Sequence, residues 1–280
     1  MRTISSDQIT AAVRELCLKA AFELPEDLKG LLQRSLSTER SEAGRRVLED
    51  ILENARIAGR ERLPLCQDTG LALFWVELGR DVSLTGCGLQ QAVDQGVGLA
   101  YREGFLRKSV VRDPLRGENT GDNTPAFVHL EMTDGESVRI IHLPKGCGSE
   151  NMSRLAMLYP SAGAEGVERL VAETVQMAGA NACPPLIVGV GIGGNFETAP
   201  RLAKKALLRN AGQRNPDPYY ASMESRLLEG INLLGIGPGG LGGSTTALEV
   251  FIEVHPCHMA SLPVAVNLQC HAARRAFTVL

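Results

Sequence analysis

Helix-like and strand-like segments alternate through most of this sequence, and the alternation limits the folds that the chain can adopt. Up to about residue 60, apolar residues recur with a spacing near 3.6, which predicts helices in "ITAAVRELCLKA" and "AGRRVLEDILENARIA". Farther along, apolar runs typical of strands are separated by amphipathic stretches typical of helices. We therefore expect a mixed α/β (α+β) fold, with a helical N-terminal block over about 1–60 and interleaved strands and helices after it, in a single domain over 1–280.

The separate segments follow from their apolar patterns and from the turns that flank them. Asp7 and Ser41 are the candidate N-caps of two early helices. The predicted strands are "LALFWVELG", "VRIIHLPKG", "PPLIVGVGIGG", "TTALEVFIEVHP" and "LPVAVNLQC". The predicted helices are "GLQQAVDQGVGLAYREGF", "GVERLVAETVQMAGA", "TAPRLAKKALLR" and "PYYASMESRLLEGINLL".

Composition and charge argue against nucleic acids and membranes as binding partners of this protein. The 280 residues are 44% hydrophobic and 22% charged, and the formal net charge is −3, so no basic field favours nucleic acid or an anionic membrane surface. No apolar run approaches transmembrane length. The N-terminal stretch is an amphipathic helix pattern that contains acids, unlike a secretory signal. We expect a cytoplasmic protein that binds neither nucleic acid nor membranes.

The seven cysteines fall into two groups by their surroundings. In a reducing compartment they are not expected to form a disulfide framework. Cys17 lies on a helical apolar stripe and suits a buried small side chain. Cys66, Cys147, Cys183 and Cys270 lie beside glycine, proline, amides or charged groups, where loops are expected. For these four, the residues alone leave two interpretations open: buried thiols, or ligands of a metal or an iron–sulfur cluster.

A glycine motif offers a different chemistry. Gly189, Gly191 and Gly194 fit the pattern G-x-G-x-x-G, which is typical of dinucleotide binding. That fingerprint requires a second strand carrying an acid about 20 residues farther on. The segment that follows here is helical instead. A nicotinamide-dependent oxidoreductase is therefore kept only as a remote alternative.

The segment "HPCHMASLP" places two imidazoles and a thiol close together. His255, Cys257 and His258 suggest a zinc site, but their spacing is too tight for a standard finger and no second pair matches them. A strand-end loop whose imidazoles form ordinary hydrogen bonds is the favoured interpretation.

Five polar loops, in order, carry a family resemblance. The segments "CQDTG", "NTGDNTPA", "KGCGSENMS", "CPPLIVGVGIGG" and "VNLQCHAARR" resemble the α subunit of the iron–sulfur (class I) fumarate hydratases and L-tartrate dehydratases. The resemblance covers nearly the whole chain and is strongest over 64–274. It implies a 4Fe–4S cluster and the reversible hydration of a small dicarboxylate. Fumarate hydration to L-malate is the main interpretation, and L-tartrate dehydration is the alternative.

The resemblance also assigns the cluster ligands. The three thiolates that it implies are Cys66, Cys183 and Cys270, and Cys147 is expected to line the site. Three thiolates on four irons leave one iron free to act as a Lewis acid toward a substrate hydroxyl and carboxylate. Cys87 and Cys257, like Cys17, are expected to be structural.

Further site residues follow from the same resemblance. Asp68 is expected to handle the proton of the departing or attacking water, with an Asx-turn as the structural alternative. Arg107 matches a substrate-binding arginine, and Arg112 and Arg116 are close rivals. The other residues implied to bind substrate are Gln67, Gly146, Gly148, Ser149, Glu150 and Asn151. Asn119, Thr120 and Asn123 either bind the anion or only stabilise turns.

The resemblance finally implies a partner. Its enzymes contain a second half that supplies the carbon-deprotonating base and further cations, and this chain shows no counterpart of that half. We expect a separate β subunit to complete the site in an α₂β₂ assembly built on a homodimeric α core.

Overall fold

The computed structural model describes residues 2–280, and these form two compact units. The first unit contains 2–25, Asn54–Cys147 and Arg274–Leu280, and the second contains Glu26–Glu53 and Gly148–Ala273. The helical N-terminal block is thus divided between the two units. The mixed α/β fold is confirmed, and a single catalytic domain over 1–280 stays a prediction.

The order of elements follows the predicted alternation closely. The helices are α1 (Ser6–Phe22), α2 (Glu26–Thr38), α3 (Glu42–Glu61), α4 (Leu89–Glu103), α5 (Cys147–Glu150), α6 (Gly163–Ala178), α7 (Thr198–Ala206) and α8 (Pro218–Leu233). The strands are β1 (Arg2–Ser5), β2 (Leu71–Gly79), β3 (Val82–Thr85), β4 (Phe127–Thr133), β5 (Val138–Lys145), β6 (Arg154–Leu158), β7 (Leu186–Gly193), β8 (Ala247–His255), β9 (Leu262–Gln269) and β10 (Ala276–Val279).

Every strand and helix predicted from a strong apolar pattern is present, while five strands were not predicted. The unpredicted strands are β1, β3, β4, β6 and β10. Most of them are short, and β4 is only partly buried, so their sequences show no clean alternation. Within 2–280 we find no helix with the length and apolar character needed to cross a bilayer.

The first unit builds its core between one sheet face and two helices. Its four strands run in the order β10-β5-β2-β4, and β1 pairs with β3 in a separate ribbon. Buried side chains of α1 and α4, such as Val13 and Val97, pack with Phe74 and Ile140 of the sheet. Gly96 permits close approach of the helices, because a Cβ there would lie 2.6 Å from a Val13 methyl.

Of the two N-caps predicted from the sequence, one is correct and one is wrong. The N-cap of α1 is Ser5, whose hydroxyl accepts from the Gln8 N–H at 3.2 Å in a reciprocal capping box. The prediction of Asp7 as that cap was wrong; it lies in the first turn, where an acid suits the helix dipole. Ser41 is confirmed as a cap, because its hydroxyl accepts from the Gly44 N–H at 3.2 Å.

The second unit places α7 directly against its sheet, which has the order β6-β9-β7-β8. A Cβ at Gly189 would lie 2.2 Å from the Ala203 carbonyl oxygen, and one at Gly191 would lie 2.1 Å from that of Ala199. Both glycines are buried inside β7 and permit the helix to approach the strand. This geometry corrects the remote dinucleotide interpretation, since these glycines line a packed interface rather than a pyrophosphate cradle.

The two four-stranded sheets share one pairing pattern. Each has two antiparallel pairs followed by one parallel pair: β10-β5, β5-β2 and β2-β4 in the first, β6-β9, β9-β7 and β7-β8 in the second. The chain enters the pattern one strand earlier in the second sheet, because its first strand, β6, takes the place that the last strand, β10, takes in the first sheet. The second sheet is thus a circular permutation of the first in strand order.

Candidate active site

The turn that carries Cys66 is fixed just before the cysteine. The Leu65 N–H donates to the Ala21 carbonyl at 2.9 Å, and the Asn54 side-chain amide donates to the Leu65 carbonyl at 2.9 Å. Cys66 is half-buried, while Gln67 is exposed. The thiol therefore lies on a main chain that is held by two neighbouring helices.

Asp68 binds main-chain N–H groups on both of its carboxylate oxygens. Its Oδ1 accepts from Gly70 at 3.0 Å, which is the predicted Asx-turn. Its Oδ2 accepts from Cys147 at 2.9 Å, and a Cβ on Gly146 would lie 3.3 Å from this oxygen. The glycine loop after β5 thus directs one N–H at a carboxylate of this chain. A role for Asp68 in proton transfer stays a prediction.

The carbonyls beside Asp68 are held by buried side chains. The Tyr101 hydroxyl donates to the Thr69 and Gly70 carbonyls at 3.2 and 3.1 Å, and the Asn123 amide donates to the Gly70 carbonyl at 3.2 Å. Gly70 has φ +81, and a Cβ there would lie 2.8 Å from the main chain of Lys145. Only glycine fits this position.

Arg274 is almost completely buried against the same turn. The side chain is 1% exposed, and its Nη2 donates to the Asp68 carbonyl at 2.9 Å. Its Nε and Nη1 are buried and have no hydrogen-bond partner within 2–280. Nearby His142 is neutral, because burial, with a contribution from the Arg274 charge, lowers its pKa to about 3.

Arg107 differs from its two rivals in its partners. Arg112 lies 3.7 Å from Glu118, and Arg116 lies 3.7 Å from Asp113, so both are in exposed ion pairs. The exposed guanidinium of Arg107 forms no such pair with any residue that the structure describes. It is the rival whose charge is available to a ligand.

The amide-rich loop after Arg107 uses its polar side chains for turns. Asn119 donates to the Lys108 carbonyl at 3.0 Å and accepts from the Gly121 N–H at 2.8 Å. Thr120 donates to the Val110 carbonyl at 3.4 Å. Asn123 accepts from the Ser109 N–H at 2.7 Å. The turn-stabilising alternative accounts for these contacts.

In the second unit, the turns that carry Cys183 and Cys270 adjoin each other. Cys183 has left-handed main-chain angles (φ 54, ψ 67), lies between a 3-10 helix and two prolines, and is exposed. Its carbonyl accepts from the His271 N–H at 3.1 Å. Cys270 directly follows β9 and is half-buried.

A glycine-rich loop supports the Cys183 turn through its main chain. The Gly239 N–H donates to the Pro184 carbonyl at 2.9 Å. Gly240 has φ +75, and a Cβ there would lie 2.4 Å from the Ala180 Cβ. This loop packs directly against the segment that presents the thiol.

Buried Glu39 fixes the far end of that loop. Its carboxylate accepts from the main-chain N–H of Ser41 at 2.9 Å, and it accepts from the N–H and hydroxyl of Ser244. Burial alone would raise the pKa of Glu39, but these hydrogen bonds and one from Thr245 lower it to about 2. Glu39 therefore stays charged and acts as a structural anchor.

The rest of the "KGCGSEN" motif lies in the second unit around Glu150. This carboxylate forms an ion pair with Lys204 and accepts from the Asn267 amide at 2.9 Å. Ser149 is buried, whereas Gly148 and Asn151 are exposed. The contacts of Glu150 give it a structural role, and substrate binding by this group of residues stays a prediction.

The remaining histidines and cysteines match their structural interpretation in part. The ring nitrogens of His255 and His258 contact neighbouring main-chain groups at 2.8 and 3.1 Å, which confirms ordinary hydrogen bonding. Cys17 is buried, and burial raises the pKa of its thiol. Cys87 is half-buried and Cys257 is exposed. Within 2–280, the cysteines form no disulfide, and no group of three His, Cys, Asp or Glu side chains is arranged to hold a metal ion.

The donor set nevertheless suits an iron–sulfur cluster. The ligands of a four-iron cluster bind different irons, so a site for a single ion is not the relevant comparison. Cys66, Cys183 and Cys270 present thiols on irregular main chain that is fixed by hydrogen bonds. The buried charge of Arg274 suits an anionic group.

Several residues that shape these turns were missed by the sequence reasoning. Arg274 lies inside the quoted motif "VNLQCHAARR", and a pair of arginines between alanines was its only signal. Lys204, Asn267, Glu39 and Tyr101 lie in ordinary helix, strand or helix-end patterns. Nothing local distinguishes them.

Comparisons with known proteins match nearly all of the chain. A family model described as fumarate hydratase (fumerase) matches residues 10–279. The chain is 46% identical over 276 residues to the "Putative L(+)-tartrate dehydratase subunit alpha" of Methanocaldococcus jannaschii, covering 96% of each chain. It is 36% identical over 272 residues to the "L(+)-tartrate dehydratase subunit alpha" of Escherichia coli strain UTI89, covering 96% of this chain and 89% of the relative.

Proposed function

Because the chain belongs to the fumarate hydratase (fumerase) family, whose members are hydro-lyases, we propose that it is the α subunit of an iron–sulfur hydro-lyase acting on a four-carbon dicarboxylate. The observation that carries the proposal is the family match over residues 10–279, which includes every cysteine motif. The relatives named as α subunits over 96% of this chain support the division into subunits.

The cofactor of this proposal is a 4Fe–4S cluster held by Cys66, Cys183 and Cys270. When bound, such a cluster supplies a Lewis-acidic iron that makes hydroxide a better leaving group. The half-buried and exposed thiols on fixed turns support these ligands. Cys147 is proposed to line the site, because its N–H contacts Asp68.

The chain's own residues then position water and substrate. Asp68, held through both carboxylate oxygens, is proposed to take or return the proton of the water. Arg107, whose charge has no partner within 2–280, is proposed to bind a substrate carboxylate. Gln67 and the loop residues of the "KGCGSEN" motif are the remaining candidates for substrate contact, namely Gly146, Gly148, Ser149, Glu150 and Asn151.

Fumarate hydration to L-malate is the first candidate reaction, and it rests on the description of the matching family. L-tartrate dehydration is the second, and it rests on the names of the relatives. L-malate and L-tartrate, the two hydroxy acids of these reactions, share both carboxylates and differ by one hydroxyl, so the same anion-binding groups serve either reaction.

The proposed partner is a separate β subunit in an α₂β₂ assembly. The relatives are named as α subunits, which implies a second chain. Removing a proton from the carbon beside a carboxylate needs a positioned base, which raises the reaction rate about 10²–10⁴-fold. We assign that base to the β subunit.

Anaerobic reconstitution with iron and sulfide tests the proposal. The chain with its β partner should hydrate fumarate or dehydrate L-malate or L-tartrate, and the chain alone should show background rates. Cys66→Ser, Cys183→Ser and Cys270→Ser should each abolish the brown visible absorbance and activity. Cys257→Ser, at an exposed cysteine, is the matched control and should retain both. Wild-type absorbance in Cys183→Ser, or full activity of the chain alone, would refute the corresponding part.

A further inference from the structure

Arg274 is a buried cation without a balancing negative charge in the described part of the chain. It is 1% exposed, and the one hydrogen bond that its side chain makes within 2–280 goes to the neutral main-chain carbonyl of Asp68. Two further donors, Nε and Nη1, are buried without a partner within 2–280. Burying a charge in this way is costly, and folded proteins usually pair such a group.

The neighbouring groups do not supply the missing charge. The Asp68 carboxylate is bound by the N–H groups of Gly70 and Cys147, and it makes no ion pair with Arg274. Burial raises the pKa of the Tyr101 hydroxyl, so the group stays neutral. His142 is neutral as well, since its pKa is lowered to about 3.

A second arginine of the same chain, Arg209, has a side chain that is 11% exposed and illustrates a purely structural role. Arg209 forms an ion pair at 2.6 Å with Glu224, which is fully buried, and it also donates to the carbonyls of Ile252 and Gln213. Its charge and its donors are satisfied within the fold. The contrast with Arg274 indicates that the fold leaves the Arg274 donors for something outside the chain.

We propose that Arg274 binds an anionic ligand beside the Cys66–Asp68 turn through Nε and Nη1. The two unpartnered donors lie on different edges of the planar guanidinium, so each can donate a separate charge-assisted hydrogen bond to an anion. The identity of the ligand rests on the proposed function, which offers two sources of the same anionic chemistry: a substrate carboxylate, or a cluster with thiolate ligands. The need for an anion rests only on the burial and contacts of Arg274.

The first test compares the stability of two arginine variants in the full chain without iron. Arg274→Met removes an unbalanced buried charge together with one hydrogen bond to the Asp68 carbonyl, and these opposing effects should leave its Tm close to that of the wild type. Arg209→Met leaves Glu224 buried and unpaired, so its Tm should fall clearly. A fall in Arg274→Met as large as that in Arg209→Met would show a structural role and overturn the proposal.

The second test separates the two sources of the anion. Iron content and visible absorbance are measured after anaerobic reconstitution, and the Tm shift caused by succinate, a dicarboxylate that cannot be dehydrated, is measured with the β partner present. Loss of iron in Arg274→Met identifies the cluster as the anion. Retained iron, with succinate affinity weakened about tenfold or more, identifies the carboxylate. Wild-type iron content together with a wild-type succinate response would overturn the proposal.

A conservative variant covers the possibility that Arg274→Met does not fold. Arg274→Lys keeps the charge but loses the planar guanidinium with its separately directed donors, so it should fold and show a partial loss of the same readout. Wild-type behaviour of Arg274→Lys in both readouts would overturn the assignment of the contact to the guanidinium donors. If the protein with its partner shows no hydro-lyase activity but iron or succinate binding still depends on Arg274, the proposed function fails and this inference stands.

Discussion

The turns that carry Cys66 and Cys183 are both held rigidly, but by different parts of the chain. Around Cys66, side chains from distant elements hold main-chain groups: Asn54, Tyr101, Asn123 and Arg274 each donate to a carbonyl between Leu65 and Gly70. Around Cys183, the contacts are main-chain hydrogen bonds and close packing from a glycine-rich loop.

The difference predicts opposite sensitivities to mutation. A turn held by side chains loses support when a side chain is shortened, because a buried carbonyl then lacks its donor. A turn held by packed main chain tolerates side-chain changes and fails when an atom is added where a Cβ has no room. Three predictions test this comparison, from the largest expected effect to the smallest.

Adding one methyl group to the glycine-rich loop should have the largest effect. Gly240 has φ +75, and Gly240→Ala introduces a Cβ about 2.4 Å from the Ala180 Cβ. We expect the free energy of unfolding to fall by about 2–5 kcal/mol because of main-chain strain and overpacking. Gly242→Ala is the matched control, because Gly242 has φ +85 but an added Cβ would meet no atom within 4 Å. Its free energy of unfolding should fall by only about 1–2 kcal/mol. Urea denaturation measures both, and equal losses would mean that packing on Ala180 is unimportant.

Removing the amide at Asn123 should have an intermediate effect. Asn123→Ala loses a donor to Gly70 and an acceptor for Ser109 at a fully buried position, which should cost about 2–3 kcal/mol. Asn119→Ala removes two comparable hydrogen bonds from an exposed position of the same loop, and we expect less than about 1 kcal/mol there. If the two variants are equally stable in urea, burial does not determine how much the hydrogen bonds of this loop contribute to stability.

Removing the Tyr101 hydroxyl should have the smallest effect. Tyr101→Phe leaves the Thr69 carbonyl without its donor, but the Gly70 carbonyl still receives the Asn123 amide, so the loss should be about 1 kcal/mol. Exposed Tyr219→Phe is the control and should change stability by less than about 0.5 kcal/mol. A loss in Tyr101→Phe as large as in Asn123→Ala would show that Thr69, rather than Gly70, is the critical carbonyl.

The sequence predicted the elements of this fold better than the contacts of its site. Strands such as β2 and helices such as α4 were predicted because their apolar periodicity is a local property. Strand β4 was missed because "FVHLEMT" is an edge strand with mixed exposure on both faces. The Asx-turn alternative for Asp68 was predicted correctly, since it involves a donor only two residues away.

By itself, the sequence determined where the chain turns, which segments are helical or extended, and which loops carry thiols and carboxylates. It also carried the family resemblance through five ordered motifs. These properties depend on neighbours within a few residues, on the conformational freedom of glycine and on apolar spacing.

Only the tertiary structure decided what each polar group contacts. Arg274 reaches the Asp68 carbonyl across 206 positions, and Glu39 reaches Ser244 across 205. It also decided that Gly189 and Gly191 serve helix packing rather than a dinucleotide. The physical reason is that strand pairing and helix packing bring distant groups together, and burial then determines whether a charge must find a partner.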